Sequence, residues 1–192
     1  MYDVVAIGEL LVDFACRSTD DDGYPVLAAH PGGAPANFLA VLARYGLKTA
    51  LLAKVGNDAF GRLLRRTVER EGIDTAGVVV DDAAFTTLAF VTLDENGERD
   101  FSFARKPGAD MLLRYDELDL SLIDRTRVFH FGSVSMTDEP SRDATRRAAA
   151  YARSRGGLLT YDPNLRIPLW KDLAQARQEM LWGRSEERRV GK

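Results

Sequence analysis

Gly32-Gly33-Ala34-Pro35-Ala36-Asn37-Phe38-Leu39-Ala40-Val41-Leu42-Ala43-Arg44-Tyr45-Gly46 sets a double-glycine turn against an apolar helical run that stops at a further glycine. Paired glycines let a backbone approach a bound molecule closely, and Pro35 suits a first helical turn, where its missing N–H is not needed. The free N–H groups of such a turn donate to ligand oxygens. A Gly-Gly pair before a helix is equally the mark of a plain tight turn, so this run gains meaning only from its surroundings.

Upstream, Val4-Val5-Ala6-Ile7-Gly8 is a short branched apolar run, the pattern of a buried parallel strand, and it delivers Glu9 and Asp13 to its carboxyl end. Downstream, Thr49 to Ala53 reads as a second strand, and Val55-Gly56-Asn57-Asp58 turns into an amphipathic helix ending near Gly72. Arg127 to Phe131 and Leu158 to Tyr161 read as further strands, with helices over Ser141 to Ser154 and Trp170 to Trp182. This alternation predicts an α/β fold, a parallel sheet covered by helices in three layers.

Two regions depart from the alternation. Phe14 to Arg17 and Val26 to His30 read as short strands around the polar loop Ser18 to Gly23. Thr87 to Leu93 alternates, turns through Asp94-Glu95-Asn96-Gly97 and returns as Arg99 to Phe103, a hairpin signal. Together these segments, about 13–30 and 86–104, are expected to form a small antiparallel sheet. It serves either as a lid over a crevice at the strand ends or as an ordinary edge hairpin.

A net charge of -3 from 26 basic and 29 acidic residues offers no field for nucleic acid, which is excluded as a partner. No apolar stretch approaches the ~20 residues of a membrane span, and Met1-Tyr2-Asp3 leads straight into a strand, so a cytoplasmic protein without membrane contact is expected. The lone Cys16 forms no internal disulfide and reads as a small core or lid residue. With His30 and His130 far apart, no direct metal-ligand spacing is present.

Asp13 follows the first strand closely, where its carboxylate either accepts paired hydroxyls, as a sugar offers, or forms a turn. Asn37 adds an amide from the facing helix turn. Arg105 and Lys106, after the hairpin, either reach a substrate from the lid side or lie in solvent, the latter being the default for Lys106. At the end of the 158–161 strand, Tyr161-Asp162-Pro163-Asn164-Leu165-Arg166 sends out three polar side chains together. Asp162 and Asn164 suit the hydration shell of magnesium and Arg166 a transferring phosphoryl group. The alternative is an Asx turn with Arg166 paired to Asp162.

Taken in order, Gly8-Glu9-Leu10-Leu11-Val12-Asp13-Phe14, Gly32 to Asn37, Val55-Gly56-Asn57-Asp58-Ala59-Phe60-Gly61, Phe103 to Asp110 and Asp162 to Trp170 resemble the ribokinase-like (PfkB) carbohydrate kinases, the fructokinases above all. The resemblance runs from Val4 to about Trp182. It implies that Asp13, Gly33 and Asn37 bind sugar hydroxyls, that Arg105 reaches the sugar from the lid, and that Asp162, Asn164 and Arg166 lie toward the phosphates. It also implies transfer of the ATP γ-phosphoryl group to a sugar, fructose first, with Mg2+ on the phosphates and a homodimer formed through the lid. Lys106 stands where the family usually has Asn.

The family's Gly-Ala-Gly-Asp segment with its catalytic Asp, its Asn-x-x-Glu motif and most of the adenine pocket have no match in these 192 residues. General-base assistance is worth on the order of 10²- to 10⁴-fold, so the chain is expected to be a poor kinase: an N-terminal part, residues 1–183, truncated before the C-terminal part. Arg184-Ser185-Glu186-Glu187-Arg188-Arg189-Val190-Gly191-Lys192 reads as translated sequencing adapter ending the helical pattern, the alternative being a natural basic tail. A non-catalytic sugar-binding or dimerisation module and a 2-keto-3-deoxygluconate kinase stay open beside the fructokinase reading.

Overall fold

The computed structural model describes residues 1–93 and 99–187. Its larger sheet is built from β1 (Tyr2–Ile7), β4 (Thr49–Gly56), β5 (Ile73–Asp74), β6 (Val78–Asp81), β9 (Thr126–Gly132) and β10 (Leu158–Asp162). They run in the order β10-β9-β1-β4-β5, with β6 also on β4, and all pairs are parallel. The smaller sheet contains β2 (Leu11–Thr19), β3 (Pro25–Gly32), β7 (Leu88–Leu93) and β8 (Arg99–Ala104). The helices are α1 (Ala34–Arg44), α2 (Ala59–Arg70), α3 (Leu120–Asp124), α4 (Ser141–Ser154) and α5 (Leu173–Glu187).

Strand β1 explains the layering. Side chains alternate across a strand, and here both faces are apolar. Val5 and Ile7 join Phe129, Phe131 and Leu159 beneath Ala148, Ala149 and Ala152 of α4, whose small side chains let the helix lie close. Val4 and Ala6 face the other way and pack with Leu51, Ala53, Leu39 of α1, and Leu64 and Val68 of α2. At roughly 1.5–3 kcal/mol for each large side chain fully buried, these two cores are what hold the sheet between its helices. Asp58 caps α2, accepting the N–H groups of Phe60 and Gly61 at 2.9 and 2.8 Å on Oδ1 while Oδ2 takes that of Thr86 at 2.8 Å. The Val55–Gly61 turn thereby ties the large sheet to the segment that feeds β7.

Three expectations need correction. The small sheet is mixed: β2–β3 and β7–β8 are antiparallel hairpins, but their junction β2–β7 is parallel, Asp13 opposite Ala89. The reason is the chain between them, which crosses α1, β4 and α2 and returns travelling in the same direction. The first hairpin is also longer than expected, its strands reaching Thr19 and beginning again at Pro25, with Asp20 Oδ1 holding the turn by accepting from the N–H groups of Asp22 and Tyr24. Its partner turn, Asp94 to Gly97, lies outside the described residues. Finally, the last helix starts at Leu173 and continues through Arg184 to Glu187 rather than stopping after Trp182. Glu186 is buried against Arg153 of α4, an anchor that extends the helix where its own sequence pattern is weak. Trp170 instead ends a 3-10 turn and is buried in the core. Cys16 lies on β2 and is exposed.

Candidate functional site

At the carboxyl ends of β1 and β10 the small sheet overhangs a cavity of about 140 Å³. Its wall includes Asp13, Gly33, Asn37, Arg105, Asn164 and Arg166, so six of the seven site residues expected from the sequence meet in one place. Asp162 stands behind them. Its Oδ1 accepts the Asn164 N–H at 3.0 Å in an Asx turn, which shapes the loop that presents Asn164 and Arg166. Ser133 fastens the same loop to the end of β9, donating to the carbonyls of Pro163 and Asn164 at 2.9 and 3.2 Å.

The glycine turn that opens α1 requires glycine. Gly33 is the N-cap with φ 113°, a left-handed conformation that L side chains rarely adopt, and a Cβ there would run into the carbonyl oxygen of Glu9. Gly32 lets the chain pass Asp13, whose carboxylate a Cβ would strike. Close passage at both positions brings β2 and the first turn of α1 together, setting Asp13 and the exposed Asn37 on one wall.

Asp13 is half-buried, and burial raises its carboxyl above the ordinary carboxylate range. Arg166 and, across the β2–β3 pair, His30 oppose that rise. Arg166 is not paired with Asp162 in an ion bridge among the described residues; its guanidinium lies over the Phe101 ring of β8, 5.3 Å from the centroid. This cation thus links the loop after β10 to the overhanging sheet.

Arg105, expected to reach the sugar from the lid side, lines the cavity. It is buried just beyond β8, its Nε donating to Asp110 Oδ2 at 2.8 Å, with further bonds to Thr137 Oγ1 at 2.9 Å and the Val134 carbonyl at 3.3 Å. Asp110 also accepts from the Thr87 hydroxyl. A buried ion pair survives only when its remaining donors and acceptors are met, and Thr87, Thr137 and Val134 meet them here. Arg105 is therefore a braced element of the cavity wall. Lys106 is exposed, as expected.

Two wall or bracing residues were missed. Asp110 carried no signal apart from its place in the Phe103–Asp110 segment. Glu9 was noticed only as an acidic group after β1. It is 3 % exposed, its Oε1 accepts the Ala34 N–H of α1 at 2.9 Å, and Oε2 has no partner among the described residues. Burial pushes its carboxyl up to about 7, with Asp110 adding to the rise and the Ala34 N–H and Arg105 opposing it.

The wall offers carboxylate, amide and guanidinium groups around a small space, the donor and acceptor set that a polyhydroxylated molecule needs. Among the described residues no three of His, Cys, Asp and Glu come together, and Asp162 spends one oxygen on its own loop. No helix among the described residues is long and apolar enough to cross a membrane.

Residues 1–183 match the model of the pfkB family carbohydrate kinases. The chain is 47% identical over 180 residues to fructokinase-1 of Zea mays, covering 93% of itself and 56% of the maize protein. The crystal structure of a fructokinase from Xylella fastidiosa superposes with a TM-score of 0.91 at 32% identity, over 97% of this chain and 58% of that one. A structure of the Xylella fastidiosa fructokinase with bound ATP gives 0.89 at the same identity, over 97% of this chain and 56% of that one. The chain thus spans a little over half the length of the relatives it matches. It belongs to the pfkB family of carbohydrate kinases.

Proposed function

We propose that this chain is the sugar-binding part of an ATP-dependent fructokinase, carrying the site for the acceptor sugar and the overhanging sheet that closes over it. The observation that carries this reading is the convergence of Asp13, Gly33 and Asn37 from β2 and α1 with Arg105, Asn164 and Arg166 in one cavity. In that reading Asp13 accepts adjacent sugar hydroxyls, the Asn37 amide donates to one oxygen and accepts from another, and the α1 turn lets the backbone close on the ring. Arg166 favours the ionised form of Asp13 and, in this reading, faces the side from which a phosphoryl group arrives. The overhanging sheet excludes water from the sugar.

The transfer itself belongs to the whole protein. The family's catalytic Asp segment has no match in these 192 residues, and in this reading the chain alone binds sugar without turning it over. Val26 and Leu27 are exposed on β3, and the lid of one copy pairs with that of a second through this strand. Light scattering on the chain and on a Leu27→Lys variant tests that pairing.

Arg166, a cation on the cavity wall, favours a second reading in which the sugar is acidic, as in 2-keto-3-deoxygluconate. Calorimetric titration of the chain with D-fructose, D-ribose and 2-keto-3-deoxygluconate separates the two. Preference for fructose supports the first reading, and preference for the acid replaces it with the second.

A further inference from the structure

Glu9 is the buried group that the sugar-site residues leave unused. It leaves β1 next to Gly8, and one carboxylate oxygen acts as the cap that α1 lacks, because the N-cap Gly33 has no side chain. An aspartate, serine or threonine at the N-cap performs this service locally; here it comes from the neighbouring strand. If capping were the whole role, one oxygen would suffice. The second, Oε2, is sealed from bulk water at the cavity wall and lacks a partner among the described residues. A buried carboxylate oxygen with nothing to accept is costly, and such groups normally have an explanation in ligand or water.

We infer that Glu9 is a further sugar-binding residue of this site, capping α1 with Oε1 and accepting a substrate hydroxyl on Oε2. This rests on the reading of the cavity as a sugar site. The arrangement couples two tasks in one side chain: the bond to Ala34 holds the Gly33 turn in place, and the free oxygen senses what enters beside it. The groups around Glu9 are Asp110 and Arg105 beyond β8, Asp13 on β2, Arg166 after β10 and the N-terminal end of α1. With its carboxyl raised to about 7, Glu9 changes from a proton-bearing to an ionised acceptor across neutral pH. An ionised acceptor makes the stronger hydrogen bond, so sugar affinity increases as pH passes upward through that range.

The test is titration of the chain with D-fructose at pH values from 6 to 8, comparing the wild type with Glu9→Gln and Asn37→Ala. Glu9→Gln keeps an oxygen for the Ala34 N–H, so the cap survives, and circular dichroism checks that the fold does. Affinity is expected to fall about tenfold or more at pH 8 in Glu9→Gln, and its pH profile to lose the rise through neutrality that Asn37→Ala retains. Glu9→Gln binding within twofold of the wild type, with a parallel pH profile, overturns the inference and leaves Glu9 a cap alone. Absence of binding of both D-fructose and 2-keto-3-deoxygluconate by the folded wild type overturns the sugar-site reading and this inference with it. Should Glu9→Gln fail to fold, Glu9→Asp supplies the same comparison: a shortened carboxylate that weakens fructose binding supports the contact, and unchanged affinity refutes it.

Discussion

Arg105, on the cavity wall, and Asp110 behind it form a buried ion pair, Nε to Oδ2 at 2.8 Å, braced by Thr87 on the acid and by Thr137 and Val134 on the base. Removing one partner leaves the other charge buried and alone, which costs about 3–5 kcal/mol. Asp110→Ala is expected to lose that amount of stability in urea denaturation. Thr87→Val removes one bond of the same acid and is expected to cost only about 1 kcal/mol.

Gly33 and Gly46 both have positive φ, 113° and 83°, and differ in what surrounds them. A Cβ on Gly46 meets nothing within 4 Å, so Gly46→Ala bears only the conformational cost of about 1–2 kcal/mol. A Cβ on Gly33 meets the Glu9 backbone as well, so Gly33→Ala is expected to cost more than Gly46→Ala and to weaken sugar binding, while Gly46→Ala leaves binding unchanged. Thermal melts and calorimetry on the pair give both comparisons.

The pH dependence of stability separates two buried groups. Glu9 titrates at about 7 in the folded chain, above its unfolded value, so the native state holds its proton longer and stability falls as pH rises from the unfolded pKa to about 7. His130 is pushed by burial down to about 4, with Asp162 opposing the fall. It therefore adds stability that is lost as pH drops from its unfolded pKa toward 4. The two slopes oppose one another in the overlap, so the wild type alone reports neither. The difference between Glu9→Gln and wild type cancels the histidine, and Glu9→Gln is expected to gain on the order of 3 kcal/mol relative to wild type between pH 5 and pH 8 in chemical denaturation. A constant difference would contradict the raised carboxyl.

In the proposed reading Asp13 is a binding group held against its own solvation preference, since burial raises its carboxyl despite Arg166 and His30. Asp13→Asn is expected to leave stability unchanged or slightly improved while weakening fructose binding at least about tenfold, the loss of a charged hydrogen-bond acceptor. Loss of stability and binding together would make Asp13 a structural residue.

The parallel core was legible because β1 and β4 are buried over most of their length on both faces and read as largely apolar runs ending at Gly8 and Gly56, with shorter apolar stretches marking β9 and β10. The parallel junction β2–β7 was not, since Asp13 and Ala89 are separated in sequence by α1, β4 and α2, and pairing between distant segments leaves no local pattern. The same holds at the site. Asp13, Gly33, Asn37, Asn164 and Arg166 could be placed because strand ends and helix turns announce themselves. Glu9 could not, because its meaning lies in the Ala34 N–H that it caps and in an oxygen with no partner. The bracing of Arg105 by Asp110 likewise depends on Thr87, before β7, and on Val134 and Thr137 of the turn after β9, supplied by two other segments. Beyond Trp182 the local pattern is weak, and contact between Glu186 and Arg153 carries the helix onward.

The proposed function stands or falls with the cavity beneath the small sheet holding the acceptor sugar. Isothermal titration of D-fructose into the chain, beside Asp13→Asn, tests it most directly. Saturable one-to-one binding that Asp13→Asn weakens at least about tenfold, with the fold intact, is the predicted result. No binding, or binding that Asp13→Asn leaves unchanged, would contradict the claim.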